Sequence, residues 1–201
     1  MKPTRKTIGR TIGKSRKNCV KYYSIIESPV DDLMLVADDS ALIGLYFAGC
    51  DHIPIVSQHW TPNARHPVLK QTAKQLQEYF AGKRKDFSLP LRLAGTDFQE
   101  KVWRQIALIP CGKTISYGEL AKRAGAPQAI RAAGTATGRN PLSIVIPCHR
   151  VTGKNGSLCG FAGGLAKKQQ LLELEKPDSR ADGLFRDCWK KEQQKTRPSP
   201  I

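Results

Sequence analysis

The sequence predicts a mixed α/β (α+β) protein: a small N-terminal sheet-plus-helix domain, then a mostly helical C-terminal domain carrying a helix-turn-helix. Three observations predict it. Apolar, β-rich runs separated by acidic turn clusters fill the first third. Helical periodicity replaces them from Pro67 onward. Short helices split by Gly- and Pro-containing turns then dominate the second half.

Residues 1–21 form a basic tail, rich in Lys, Arg, Ser and Thr and without an acidic residue. A mitochondrial transit peptide has a similar composition, and a flexible basic tail is the simpler reading. Residues 22–92 make the first domain. Tyr22–Glu27, Leu33–Ala37 and Leu42–Phe47 read as strands, with turns at Asp31-Asp32 and Asp38-Asp39-Ser40. Pro67–Phe80 reads as a helix, because Leu69, Ala73, Leu76 and Phe80 recur at helical spacing and Gly82 follows as a stop.

Residues 93–176 make the second domain. Thr96-Asp97-Phe98-Gln99 has the form of a capping box and opens a helix to about Leu108, ended by Pro110 and Gly112. Ser116-Tyr117-Gly118-Glu119 repeats that form and opens a helix to Arg123, stopped by Gly125 and Pro127. A third helix runs from Gln128 to about Thr137. This arrangement fits a helix-turn-helix, although on spacing alone a plain packed hairpin is the better match. Ala129, Ala132, Ala133, Gly134 and Ala136 leave the third helix little bulk, so its backbone can approach another helix or a DNA groove. Arg131 and Arg139 favour the groove. Ser143-Ile144-Val145-Ile146 reads as a short buried strand ending at Pro147, and residues 177–201 as a polar tail.

Composition narrows the function classes. The formal charge is +16, from 33 basic and 17 acidic residues, which suits a polyanionic partner such as nucleic acid or simply a soluble basic protein. No apolar run reaches the length of about 18 residues that a membrane span needs, and no secretory signal precedes the domains. Six cysteines show no CxxC pair, so reduced thiols are expected rather than a disulfide framework. Cys19, Cys50, His52, His59 and His66 offer metal ligands, but their spacing fits no standard zinc pattern, and no metal is expected.

The chemistry concentrates at Cys148-His149-Arg150. A cysteine held at the end of a buried strand is rigid, and a neighbouring cation can lower its pKa. The histidine beside it can serve as a base. Adjacent side chains of an extended segment point to opposite faces, so the dipeptide alone also fits a structural role.

The wider string is more specific. Asn140-Pro141-Leu142, Ile146-Pro147-Cys148-His149-Arg150-Val151, Gly160-Phe161-Ala162-Gly163-Gly164-Leu165, and Lys168 with Leu171–Glu175 follow in order. Together they closely resemble the O6-alkylguanine-DNA alkyltransferases, or methylated-DNA–protein-cysteine methyltransferases. The resemblance covers residues 93–176 strongly, and the first half only in element order. It implies a ribonuclease H-like N-terminal domain and a DNA-repair enzyme that uses no cofactor. An alkyl group passes irreversibly from O6-alkylguanine in duplex DNA to Cys148, spending one protein molecule per lesion. It further implies that His149 takes the thiol proton through a water, that Glu175 orients His149, and that Asn140 braces the active-site turn. Arg131 enters the base stack as the target flips out, with its helix in the minor groove. Tyr117 rotates the phosphate and contacts the flipped base. Val151, Phe161 and Ala162 line the pocket. Many members carry Tyr at the place of Phe161, and some carry Ser at that of Ala162. Relatives with tryptophan at the cysteine position only bind damage, and Cys148 argues against that subclass. O4-alkylthymine is a further substrate to consider. The chain is expected to act as a monomer in the cytoplasm, or in the nucleus of a eukaryote. The alternatives are a non-catalytic sensor that binds and flips damaged bases, and a thiol hydrolase using Cys148 and His149.

Overall fold

The computed structural model describes residues 20–49 and 60–176. Three antiparallel strands, β1 (Lys21–Ile26), β2 (Leu33–Ala37) and β3 (Leu42–Phe47), form where the alternating runs place them. A short strand the periodicity does not reveal, β4 (Trp60–Pro62), adds in parallel to β1 and gives the order β3-β2-β1-β4. Three residues are too few to display a period of two. Every residue of β2 is buried, as suits an inner strand. Helix α1 (Pro67–Phe80) starts on a proline that lacks the amide a first turn leaves unpaired. It buries Leu69, Leu76, Tyr79 and Phe80.

The helical half begins with α2 (Asp97–Ala107). Its capping box is complete: the Thr96 side chain accepts from the Gln99 amide, and the Gln99 side chain accepts from the Thr96 amide. In α3 (Tyr117–Arg123) only half of the second box forms. Ser116 accepts from the Glu119 amide, but the Glu119 carboxylate turns outward to Arg123, 2.8 Å away, in an i,i+4 ion pair. Helix α4 (Ile130–Gly138) starts two residues later than the sequence suggests, because Ala126–Ala129 closes a turn first. Two-residue strands β5 (Ile115–Ser116) and β6 (Val151–Thr152) pair in parallel and tie the start of α3 to the residues just after Arg150. Helix α5 (Leu165–Leu174) follows.

The expected strand over Ser143–Ile146 is not formed. Leu142 makes one bridge to Leu45 on the β3 edge, with Leu45 N–H donating to Pro141 O at 2.8 Å and Ser143 N–H to Leu45 O at 3.0 Å. The chain then turns, with Ile146 N–H donating back to Leu142 O and Ile144 at φ +67°. A β-branched residue in that region costs about 1–3 kcal/mol. The segment is buried as predicted, but as a tight turn: apolar content reported burial correctly and backbone path incorrectly. One apolar core, including Leu35, Leu45, Leu76, Ile106, Leu142 and Leu171, runs through both halves.

Candidate active site

Cys148 opens a single 3-10 turn, Cys148–Arg150, rather than ending a strand. The turn is fixed from behind by Asn140. Its side-chain amide donates to Ile146 O at 2.7 Å, and its Oδ1 accepts from Leu142 N–H at 3.0 Å. Both bonds are buried, so neither competes with water. The Cys148 thiol is 5% exposed. Burial pushes its pKa up, and this outweighs the downward pull of Asn140, Lys168 and the local amides. The sequence-level expectation of a lowered thiol pKa is therefore corrected: in the resting protein desolvation outweighs the nearby positive charge.

His149 and Arg150 are buried beside it and converge on one carboxylate, Glu175, at the C-terminal end of α5. His149 Nε2 lies 2.9 Å from Glu175 Oε1. Arg150 donates from Nη2 to Oε1 at 2.7 Å and from Nε to Oε2 at 2.8 Å. The Gly112 amide donates to Oε2 at 3.2 Å, and the Tyr79 hydroxyl to Oε1 at 2.8 Å. Gly112 is at φ +75°, and a Cβ there would sit 2.9 Å from the Glu175 carbonyl, so glycine suits this approach on both counts. Burial alone would push the Glu175 carboxyl up. Hydrogen bonds from His149 and Arg150, and their charges, hold it well below the usual carboxylate range.

That ionisation assigns the histidine tautomer. An ionised carboxylate only accepts, so Nε2 carries the hydrogen. Nδ1 then presents a lone pair, and it is buried without a hydrogen-bond partner among the described residues. Burial lowers the His149 pKa, against the raising effect of Glu175, so the ring rests neutral at neutral pH. A neutral imidazole with an unpartnered lone pair, one residue along the chain from a protonated thiol, is able to accept a proton.

Tyr117 begins α3 and its hydroxyl sits 3.0 Å from Cys159 O and 3.2 Å from Gly160 O. Burial, with the Cys159 and Cys148 thiols nearby, pushes its pKa up to about 12, so it stays a donor. Lys168, fully buried, donates from Nζ to Val151 O at 2.6 Å and to Cys159 O at 2.9 Å. It thus staples β6 to the 153–163 loop. Phe161 is half-buried edge-on to Phe47 of β3, with ring centroids 5.7 Å apart, and Ala162 is exposed. A Cβ on Gly163 would meet both rings at 2.8 Å.

Arg131 is apart from this cluster. It is exposed on α4 beside Ala132, Thr135 and Arg139. The opposite face of α4, Ala133, Ala136 and Thr137, is buried, and Trp103 Nε1 of α2 donates to Ala136 O at 2.7 Å. The small residues therefore serve both readings, a helix contact on one side and an open basic face on the other.

Tyr79, Arg150, Gly112 and Lys168 are site residues that motif reading did not assign. Lys168 had a detectable trace, since it shares the buried face of α5 with Leu171 and Leu174. A lysine in an apolar stripe is rarely accidental. Cys19, Cys50, His52, His59 and Cys188 lie outside the described residues. His66 is buried and stacked on Tyr22. Among the described residues, no three His, Cys, Asp or Glu side chains gather as a metal site, and no helix is long and apolar enough to cross a membrane.

Comparison with known proteins gives a consistent result. Residues 21–93 match the model of the 6-O-methylguanine DNA methyltransferase ribonuclease-like domain, and residues 97–177 match that family's DNA binding domain. A methylated-DNA–protein-cysteine methyltransferase of Methanosarcina mazei is 44% identical over 154 residues, covering 77% of this chain and 96% of that protein. One from Mycobacterium tuberculosis strain H37Rv is 44% identical over 161 residues, covering 80% and 96%. The crystal structure of Mycobacterium tuberculosis OGT in complex with DNA superposes with a TM-score of 0.71 at 42% identity, covering 80% of this chain and 99% of that one.

Proposed function

The chain belongs to the 6-O-methylguanine DNA methyltransferase family, and from that premise we propose that it repairs DNA by moving the alkyl group of O6-alkylguanine onto Cys148. The observation that carries the reading is the buried Cys148, His149 and Glu175 cluster, in which Nδ1 of a neutral His149 is the free base. His149 takes the thiol proton through a bridging water, and Glu175 stabilises the imidazolium that forms. The thiolate sulfur attacks the alkyl carbon. A carbon–sulfur bond forms, the bond from carbon to O6 breaks, and guanine leaves with that electron pair and is then protonated. The product is a thioether with no easy route back to thiol, so each molecule acts once.

The reacting carbon is inside a duplex until its base is flipped. Arg131, exposed on a slim helix face, fills the space left in the stack, and Arg139 lies on the same face. Tyr117, protonated at neutral pH, donates to the flipped base at the pocket mouth. Val151, Phe161 and Ala162 wall the pocket, while Lys168 holds its two sides together. The protein acts as a monomer on duplex DNA, in the cytoplasm or nucleus, without a cofactor.

A duplex carrying labelled O6-methylguanine tests this. One equivalent of label or less should move to the protein, map to Cys148, and stop. Cys148→Ala should bind the duplex and take none. Tight binding with all label left on DNA would instead identify a damage sensor.

A further inference from the structure

We propose that Tyr79, on α1 of the N-terminal half, is a positioning residue for alkyl transfer: its hydroxyl, bonded to Glu175 Oε1, sets how strongly that oxygen engages His149. The inference rests on the function proposed above and extends the reacting network across the boundary between the two halves.

Three donors share Oε1: Tyr79 OH at 2.8 Å, His149 Nε2 at 2.9 Å and Arg150 Nη2 at 2.7 Å. Tyr79 is 2% exposed and Glu175 2%, so no water takes the place of a missing donor without rearrangement. Each donor draws electron density from the same lone pairs, and a bond added at Oε1 weakens the others' share. Tyr79 therefore limits the stabilisation Glu175 gives to an imidazolium. The ring is kept neutral at rest yet can still receive the thiol proton.

The geometry of Tyr79 is itself fixed. Its ring lies 5.3 Å from that of Phe80 and 5.5 Å from that of Phe87. Its phenol is pushed well above its ordinary pKa by burial and by Glu175, so it donates and does not ionise. The other ionisable groups facing this cluster are Arg150 from the 3-10 turn, Lys168 from α5, the Cys148 thiol, and Cys111 from the loop after α2. Of the Oε1 donors, only Tyr79 comes from the N-terminal half. The sheet domain is thereby more than a support: it sets the basicity of the site.

The test is Tyr79→Phe, which keeps the ring and removes the donor. His149 is followed by its imidazole NMR signals without DNA, and single-turnover transfer is followed against pH. The His149 titration and the acid limb of the transfer profile should both move upward by about half a pH unit or more. A fluorinated tyrosine at position 79, a stronger donor of the same shape, should move both downward, and it serves as the readout if Tyr79→Phe does not fold. Phe80→Leu, a packing change in the same helix, should lower the melting temperature and leave the His149 titration in place. A His149 titration unchanged in the Tyr79 variants would reduce Tyr79 to a packing residue and overturn the proposal. Failure of the wild-type protein to accept label would overturn the functional reading instead, and the NMR titration separates the two.

Discussion

The surroundings of Glu175 and the open face of α4 use charge in opposite ways. At Glu175 one buried carboxylate is held by five donor atoms from three separate parts of the chain. Arg131 on α4 and Arg139 at its C-cap stand exposed on a helix whose other residues, after Ile130, are alanine, glycine and threonine. The first arrangement satisfies the carboxylate within the fold and so fixes the proton on Nε2 of His149. The second leaves its charge available, which suits a partner that brings phosphates and a vacated base stack. Chemistry needs groups already held in place, whereas recognition needs groups without a settled partner.

That contrast can be broken by substitution. Glu175→Gln should have the largest effect, because Arg150 stays buried with its partner neutralised. Stability should fall by about 3–5 kcal/mol in denaturant unfolding, and transfer should slow by about 100-fold as His149 loses its stabiliser. A variant as stable and fast as the parent would mean the buried network is dispensable. Arg131→Ala should be the reverse case. Its stability should change by less than about 0.5 kcal/mol, while transfer from duplex DNA should slow by about ten- to a hundredfold. The free alkylated base, which needs no flipping, should react at the parental rate. Equal losses on both substrates would remove Arg131 from the flipping step.

A smaller effect concerns acid. Both His149 and Glu175 have lowered pKa values in the fold. Unfolded His149 binds a proton below about 6.5, and unfolded Glu175 below about 4.3, where the native groups still resist. The unfolded state therefore holds more protons in each window, and stability falls as pH falls, by at most about 1.4 kcal/mol per pH unit per group. Unfolding curves from pH 7 to pH 3 should show a shallow decline below about 6.5 and a steeper one below about 4. In Glu175→Gln the contribution of that carboxylate to the second decline should vanish. A flat profile between pH 7 and pH 5 would contradict a buried neutral His149.

The motif string was legible through its resemblance to a known family, and the caps and braces around it through constraints that are local. Asn140 braces a turn six residues away, and the capping box at Thr96 closes within one helical turn. The Ser143–Ile146 segment shows where local reading fails. Apolar, β-branched residues announce burial, but the choice between strand and turn rests on the single bridge to β3 and on a bulky residue at positive φ. The half-formed box at Glu119 teaches the same lesson, since Arg123 competed for the carboxylate.

The sequence by itself determined the helices, three of the strands and the basic character, because periodicity, capping and composition act over a few residues, and it carried the ordered cysteine motif through its resemblance to a known family. Only the tertiary structure decided that the thiol rests protonated, that His149 rests neutral, and that Tyr79 and Lys168 join the site. Those properties depend on desolvation and on bonds spanning 17 residues for Lys168 to Val151 and 96 for Tyr79 to Glu175; the apolar stripe of α5 marks Lys168 as buried, but no local pattern says which carbonyl it meets or that Tyr79 reaches Glu175.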